Sequence, residues 1–582
     1  MNQARDVQVA SIGIDTKVFR SRTWDRLKFE IEYGLSRGTT ANSFLIEADK
    51  IALIDPPGES FADAFIESLS SRIDVSRLEY VILGHVNPNR AVTLNKLVNL
   101  APQVTFVTSN TGAKSLESIF NNSYGDTVAD RPLNIIAIKN DYELDLGQGH
   151  HLELFTTPNP RYPDQLITFD PRTKILYSNK IFSAHVCGDQ ILDEGWKVYQ
   201  EDRRYYFDCV IAPYATQVTK AIAKIGEKPA TIYATGHGPL VRYGLTELTG
   251  LYLKWLEAQK QQTLNVALIY ASAYGNTATL AGAIARGITK AGVRVESINA
   301  EFASNTEIQT AIENCDGFVF GSPTLGGHAP TQIQTALGVA LAHGDKNKIV
   351  GVFGSYGWSG EAIDLLESKF KDGGYRFGFD PIRVKFKPTA EVVKTCEEAG
   401  TDFSQALKKR KKTMAGKQSA ASNSQTARTE QALGRLVGSL CVVTTIQKEL
   451  KGAMVASWVS QATFTPPGLT IAVAKERAIE SLMPIGSSFV LNILKDGEHI
   501  GLMKHFLKPF APGEDRFADI DYETGENGCP ILSDSLAYLE CEIKNRLECG
   551  DHWVLYATAK QGKLLSNEGV TAIHHRKSGT HY

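Results

Sequence analysis

The chain reads as a multidomain protein of mixed α/β and β architecture, with a sheet-sandwich block in front, a doubly wound parallel sheet in the middle and a β-barrel at the end. Three observations predict it. Apolar runs beginning at Val266, Gly317 and Lys348 each end in a small, hydroxyl-rich turn and lead into a helical pattern, as in a parallel sheet with crossover helices. After residue 438, short alternating segments recur at the spacing of barrel strands. Earlier, two strands each deliver a histidine at their end, His85 and His237, which is typical of a metal site on the rim of a sheet sandwich.

The 582 residues predict three or four domains, at about 150 residues each. With 62 basic and 64 acidic residues the formal charge is −2, which suggests neither a nucleic-acid binder nor a membrane-surface binder. The eight cysteines contain no Cys-x-x-Cys and read as reduced thiols of a cytoplasmic enzyme. The amino terminus lacks a signal-peptide core, and no apolar run approaches the ~18 residues of a membrane span. The stretch from Lys408 through the Ser-, Ala-, Gln- and Lys-rich residues to Arg428 reads as a flexible linker. The expected blocks are therefore 1–262, 263–407, the linker 408–428, and 429–582.

In the first block, residues 42–55 read as a hairpin turning at Ala48-Asp49-Lys50, followed by a helix carrying Phe61, Phe65 and Leu69. The segments Gly-Thr-Thr-Ala-Asn-Ser (38–43), Leu-Gly-His85, Tyr-Ser-Asn-Lys180 and Gly-His237-Gly-Pro together resemble the metallo-β-lactamase-like αββα sandwich of flavodiiron proteins. That resemblance implies a di-iron site built from His-x-Glu-x-Asp-His, a later His and a bridging Asp. Carried over position by position, His85 and His237 are kept. Asn87 and Asn89 stand at the two carboxylate positions, Arg90 at the final His, Arg161 at the third ligand His and Lys180 at the bridging Asp.

The direction of these changes decides the reading. Amides are poor iron ligands, and an ammonium ~4 Å from a divalent ion costs roughly 8 kcal/mol of repulsion at an effective dielectric of about 20. The di-iron centre implied by the family is expected to be absent or incomplete here. Arg161, Lys180 and Arg90 would sooner hold an anion or pair with nearby carboxylates. His85 and His237 are read as hydrogen-bonded core residues, with a one-metal site completed by water as the alternative.

The middle block begins with the strand Val266–Ala271, the turn Ser272, Ala273, Tyr274, Gly275, Asn276, Thr277, and a helix with Leu280, Ile284 and Ile288 on one face. The turn's N–H groups and the first helical turn point at one spot, and Ser272, Asn276 and Thr277 add side-chain donors, which suits a phosphate monoester. A second strand ends at Ser322, Pro323, Thr324, Leu325 and Gly326. A third ends at Ser355, Tyr356, Gly357 and Trp358. Ligands of doubly wound sheets bind at these strand ends near the switch in strand order, so the loops offer a phosphate pocket and walls for a flat ring. Together they resemble the flavodoxin family, whose ligand is FMN, over about residues 265–400.

The last block opens with a short helix and a strand up to Thr445. Ser457-Trp-Val-Ser460-Gln461, the Pro-Pro pair and Val-Leu-Asn492 then follow in an order that resembles the split-barrel flavin reductases. That resemblance places Ser457, Ser460, Gln461, Lys475 and Arg477 along a flavin phosphate, FMN or FAD, with Asn492 nearby, and His552 as the catalytic residue near the nicotinamide of NADH or NADPH. Residues 503–508 read as an exposed helix or loop.

In this order the three blocks resemble the class C flavodiiron proteins of cyanobacteria and other oxygenic phototrophs, in a subtype with non-standard di-iron ligands. The family implies electron flow from NAD(P)H through the barrel flavin and the FMN to a di-iron site that reduces oxygen to water, which disposes of excess photosynthetic electrons. It also implies a head-to-tail dimer. With two flavin domains intact beside an altered metal pocket, the preferred expectation is a hetero-oligomer with a sibling that keeps the carboxylates. The alternative is a stand-alone NAD(P)H:flavin reductase whose first block is structural or binds an anion. A hydrolase is excluded by the missing His-x-His-x-Asp-His.

Overall fold

The computed structural model describes residues 5–24, 37–123, 133–415 and 424–576. Within the first block two sheets face each other. One has seven strands, from Asp6–Gly13 to Asn134–Ile138 in chain order. The other has five, running from Ile232–Thr235 through Ile175–Asn179, Leu166–Asp170 and His151–Thr156 to Tyr142–Asp145. The strand Thr39–Glu47 shows why: Phe44 and Ile46 point into the layer between the sheets, while Leu45 points outward to Phe65 and Leu94 of the covering helices. Phe44 meets Tyr177 of the opposite sheet edge to face, with centroids 5.1 Å apart. Helices Ala62–Ser70 and Ala91–Leu100 cover one outer face, and Ala215–Gly226 and Leu245–Lys260 cover the other. This is an αββα sandwich.

In the middle block the sheet runs Arg294–Asn299, Asn265–Tyr270, Gly317–Pro323, Ile349–Tyr356, Arg376–Phe377, with Ile382–Lys385 also on Ile349–Tyr356; every pairing is parallel. The strand order reverses beside Asn265–Tyr270, so the crevice opens over its carboxyl end. Alternate residues feed two cores: Ala267 and Ile269 on one face, Val266, Leu268 and Tyr270 on the other. On the second face, helix Asn276–Lys290 crosses helix Ala390–Ala415 at two glycines. A Cβ on Gly287 would lie 1.9 Å from Glu397 O, and one on Gly400 2.1 Å from Ile284 O. Only hydrogen fits at either position, which brings the polar side chains of both helices to one surface.

The last block is a seven-stranded antiparallel sheet in the order Leu450–Ala456, Cys441–Gln447, Ser488–Leu494, Ser535–Cys549, His552–Leu564, Pro467–Ala474, Val459–Phe464. Its strands share one core, where Met454, Val443, Phe489, Ile543, Leu555 and Ile471 meet with Val459 against them, so the sheet is wrapped into a barrel. Helix Ile500–Leu507, in the stretch read as an exposed helix or loop, buries Leu502 and Phe506.

One boundary differs from expectation. Helix Ala390–Ala415 continues through Lys408–Lys412, where a linker was predicted to start. Leu407 is buried in the core and Lys408 bonds Glu476 of the barrel, so packing and pairing carry the helix on where composition alone suggested a coil. Residues 416–423, the middle of the expected linker, lie outside the described residues, and Ser424–Leu433 is again helical.

Candidate functional site

The three strand-end loops of the middle block converge. Gly275, at φ +78° with open space around its Cα, turns the chain into helix Asn276–Lys290, and Ser272 Oγ accepts from Ala278 N at 3.0 Å. Thr277 Oγ1 lies 2.8 Å from Ser355 Oγ, tying the first loop to the third, and Thr324 N donates to Ser355 O at 2.9 Å, tying in the second. Gly326 and Gly327 both have positive φ in the turn closed between Leu325 and His328. Ser322 is buried, its hydroxyl on Pro323 O at 2.8 Å.

Around this floor stand apolar groups that face water. Tyr274 and Trp358 are each 85% exposed, Leu325 40% and Phe386 51%. Trp358 and Phe386 meet edge to face at 5.7 Å, and Phe386 N donates to Tyr356 O at 2.7 Å. Thr324 Oγ1 is buried with no partner. A cradle of first-turn N–H groups, an orphaned hydroxyl and exposed aromatic walls suit a ligand with a phosphate and a flat ring, such as FMN. Phe386 carries no signal in sequence: it is a single aromatic after Val-Lys, placed here by a left-handed residue at φ +58°.

The first block's altered positions also converge. His85, Asn87, Asn89, Arg90, Lys180 and His237 line one cavity with Asn42, Asp55 and Asn179; its volume of about 30 Å³ is room for about two waters. Its charged groups are engaged by neighbours, while Asn89 Nδ2 and Asn179 Oδ1 are buried without hydrogen-bond partners. Lys180 Nζ lies 3.1 Å from His237 Nε2, while His237 Nδ1 is 2.7 Å from Thr40 O, which makes Nδ1 the N–H and Nε2 the acceptor. Arg90 Nη1 bonds Asp55 Oδ1 at 2.8 Å, and Asp55 also accepts from Gly84 N and Asn179 Nδ2. His85 Nδ1 sits 2.8 Å from Asp164 Oδ1, whose other oxygen takes Val86 N at 2.6 Å. Burial alone would raise the Asp164 carboxyl; His85 and these hydrogen bonds hold it below the usual carboxylate range.

Arg161 is not in the cavity wall. Its Nε donates to Tyr162 OH at 2.9 Å, and Tyr162 stands between it and the His85 ring, 4.8 Å away. His185, not predicted, packs 4.8 Å from His237 and bonds Thr39 Oγ1 at 2.9 Å. Burial, with Lys180 and Arg161, pushes its pKa down to about 3, and the same burial and Lys180 push His237 well down, so both imidazoles are neutral. Among the described residues, no three His, Cys, Asp or Glu side chains come together closely enough to share a metal ion. The donor set does not fit a di-iron centre: the imidazole nitrogen of His237 that faces the cavity is taken by an ammonium, and the nearest free-standing carboxylate, Asp55, neutralises a guanidinium. Asp55 and Asp164 were legible only as hairpin and turn residues, because their partners lie 35 and 79 residues away in sequence.

In the barrel, Trp458 and His552 come together: their rings are 4.9 Å apart, His552 Nδ1 is 2.9 Å from Asp551 Oδ1, and His552 Nε2 and the neighbouring Ser457 Oγ are buried without hydrogen-bond partners. These orphaned atoms suit a polar ligand. Lys475 Nζ, on the adjacent strand end, bonds Glu548 Oε1 at 2.6 Å and lies over the Trp553 ring at 5.1 Å. Ser460 and Gln461 are exposed on Val459–Phe464. Asn492 is corrected. It is wholly buried, its amide N–H groups on Val442 O and Thr444 Oγ1 and its oxygen on Leu532 N, so every polar atom serves the barrel wall and none is left for a flavin.

No described helix is long and apolar enough to cross a membrane. Residues 39–238 match the ODP family beta lactamase, 268–400 flavodoxin and 433–580 the flavin reductase like domain. The chain is 66% identical to diflavin flavoprotein A 3 of Synechocystis sp. (strain PCC 6803), over 100% of this chain and 96% of that protein. It is 61% identical to diflavin flavoprotein A 6 of Nostoc sp. (strain PCC 7120), over 99% of each. Among solved structures it is similar to the metal-soaked Flv1 flavodiiron core from Synechocystis sp. PCC6803. The TM-score is 0.68 and the identity 63%, covering 70% of this chain and 100% of that one.

Proposed function

The chain belongs to the diflavin flavoprotein A family of flavodiiron proteins, and on that premise we propose an oxidoreductase that carries electrons from NADH or NADPH through two flavins toward the reduction of oxygen to water, with the oxygen step on a partner subunit's di-iron site. Bound flavin supplies the exchange of a two-electron hydride for single electrons. The protein's own residues do the rest. The 272–277 turn would hold the FMN phosphate by its N–H groups and by Ser272 and Thr277, while Tyr274 and Trp358 would shield the ring faces. In the barrel, Ser457, Ser460 and Lys475 would hold the phosphate of an FMN or FAD. His552, oriented by Asp551, would offer Nε2 for a hydrogen bond to the nicotinamide carboxamide.

One observation carries the choice of a partner's metal: the Lys180 ammonium on His237 Nε2, in a pocket whose only wall carboxylate among the described residues, Asp55, is spent on Arg90. Flavin loops that fit their ligand, beside a pocket that does not fit iron, suit one member of a head-to-tail dimer whose sibling keeps the carboxylates. Disposal of excess photosynthetic electrons is the role that follows. The test is to purify the chain alone and with such a sibling, measuring iron, flavin, oxygen uptake and peroxide with NADH and NADPH. Two flavins with sub-stoichiometric iron, and water as product only with the sibling, is the expected result. Four-electron reduction by the chain alone with two irons bound overturns it. Free reduced flavin or peroxide as the main product, sibling present, makes it a flavin reductase instead.

A further inference from the structure

The barrel is fastened to the middle block by charge. Glu397, on helix Ala390–Ala415, accepts Arg286 and, at 2.5 Å, Lys290 from helix Asn276–Lys290. Glu480 of the barrel segment Ala478–Leu482 lies 3.7 Å from Arg286 and 3.9 Å from Lys290, and pairs with Arg546 at 2.8 Å. Lys394 reaches across to Ala478 O and, at 2.5 Å, to Ser481 Oγ. Farther along the same helix face, Glu398 holds Arg516 at 3.2 Å and Gly513 N at 3.1 Å, and Lys408 pairs with Glu476 at 3.3 Å. The apolar clusters, by contrast, stay at home: those around Val319 and Phe320 draw only on the middle block, and those around Ile471 and Leu440 only on the barrel. An interface held by ion pairs, with no shared apolar cluster among the described residues, is the kind that opens and closes.

Its position matters. Helix Asn276–Lys290 starts at the proposed FMN phosphate turn and ends where Lys290 Nζ meets Arg477 O, 3.4 Å away, two residues from Lys475. Fifteen residues at a rise of about 1.5 Å put roughly 20 Å between those ends, and an FMN ring held at that turn would lie beyond the far one. We infer that the ion cluster holds the barrel docked at the base of the FMN-binding block, where its flavin is out of reach of the same chain's FMN, and that electrons pass between them only when the barrel undocks. This rests on the two-flavin reading above.

The test reverses one pair at the edge of the dock, away from both flavin sites. Glu398→Arg and Arg516→Glu are made singly and together in the full chain. Small-angle scattering reads whether the barrel is released, and anaerobic stopped-flow with NADPH reads how fast the second flavin is reduced. Each single variant is expected to expand the particle and to speed that phase by about tenfold or more, because removing one partner leaves the other charge buried and unpaired. The double variant should return both toward wild type, which a folding defect would not do. Single variants that stay compact overturn the dock. Expansion with an unchanged or slower second phase overturns the claim that docking keeps the flavins apart. A chain with one flavin per molecule would refute the two-flavin reading, while scattering would still judge the dock.

Discussion

Lys180 Nζ stands 3.1 Å from His237 Nε2, where the family's bridging carboxylate and a histidine ligand would share an iron. Each group satisfies the other: the imidazole is neutral and turned by Thr40 O to present its lone pair, and the ammonium donates to it. Removing the ammonium is not enough to make a metal site, because Arg90, Asn87 and Asn89 remain in the same wall. Lys180→Asp is therefore expected to leave iron well below two per chain after reconstitution, measured against flavin by elemental analysis. Two irons in the native chain would end the charge argument.

Asp55 is what makes that wall tolerable. Its side chain is 5% exposed and takes Arg90, Asn179 and the Gly84 N–H at once. Asp55→Asn keeps the shape but leaves a guanidinium with no buried countercharge. Breaking such a pair costs about 3–5 kcal/mol. The urea midpoint of the first block should fall accordingly while flavin content of the folded fraction holds. A loss under about 1 kcal/mol would mean that the pocket is wetter than its packing implies.

At the FMN turn the sensitive position is Gly275. Its φ of +78° is a left-handed conformation that a β-branched side chain resists. Gly275→Val is expected to weaken FMN retention by about tenfold, from roughly 1–2 kcal/mol of strain, read by release of fluorescent flavin. Gly275→Asn, which tolerates that region, should stay near wild type. Equal loss in both would point to a steric clash with the phosphate rather than backbone strain.

What could be read from the chain alone follows from how locally each feature is encoded. Ser272–Thr277, Ser322–Gly326 and Ser355–Trp358 were legible because strand, turn and helix start are consecutive in sequence, and the fold only had to bring three such units side by side. Asp55, Asp164 and His185 were not, since each acts through partners far away in sequence. Asn492 was misread for the same reason: its neighbours Thr444 and Leu532 lie 48 and 40 residues away, and only the folded barrel shows that they consume its amide. Asn492→Leu should cost about 2 kcal/mol, because Leu532 N and Thr444 lose a buried partner, with flavin occupancy of the folded protein unchanged. A selective loss of flavin would restore Asn492 to the binding site.

Glu201 gives the chain a pH signature near neutrality. It lies close to Arg546 and Glu480 at the barrel junction, and its Oε1 is buried with no hydrogen-bond partner. Burial is the main cause that pushes its pKa up from 4.5 to about 7; Asp202 and Glu480 add to it, and Arg546 and Arg37 oppose it. The folded chain therefore holds this proton more tightly than the unfolded one. The resulting stability is fully present below 4.5 and is lost as pH rises through about 7. Glu201→Gln removes the titration, so its unfolding free energy should match or trail wild type at about pH 5 and exceed it by about 2 kcal/mol at about pH 8. A difference between variant and wild type that stays flat across that range would mean that Glu201 is ionised in the folded chain throughout, with Arg546 rather than burial setting its charge.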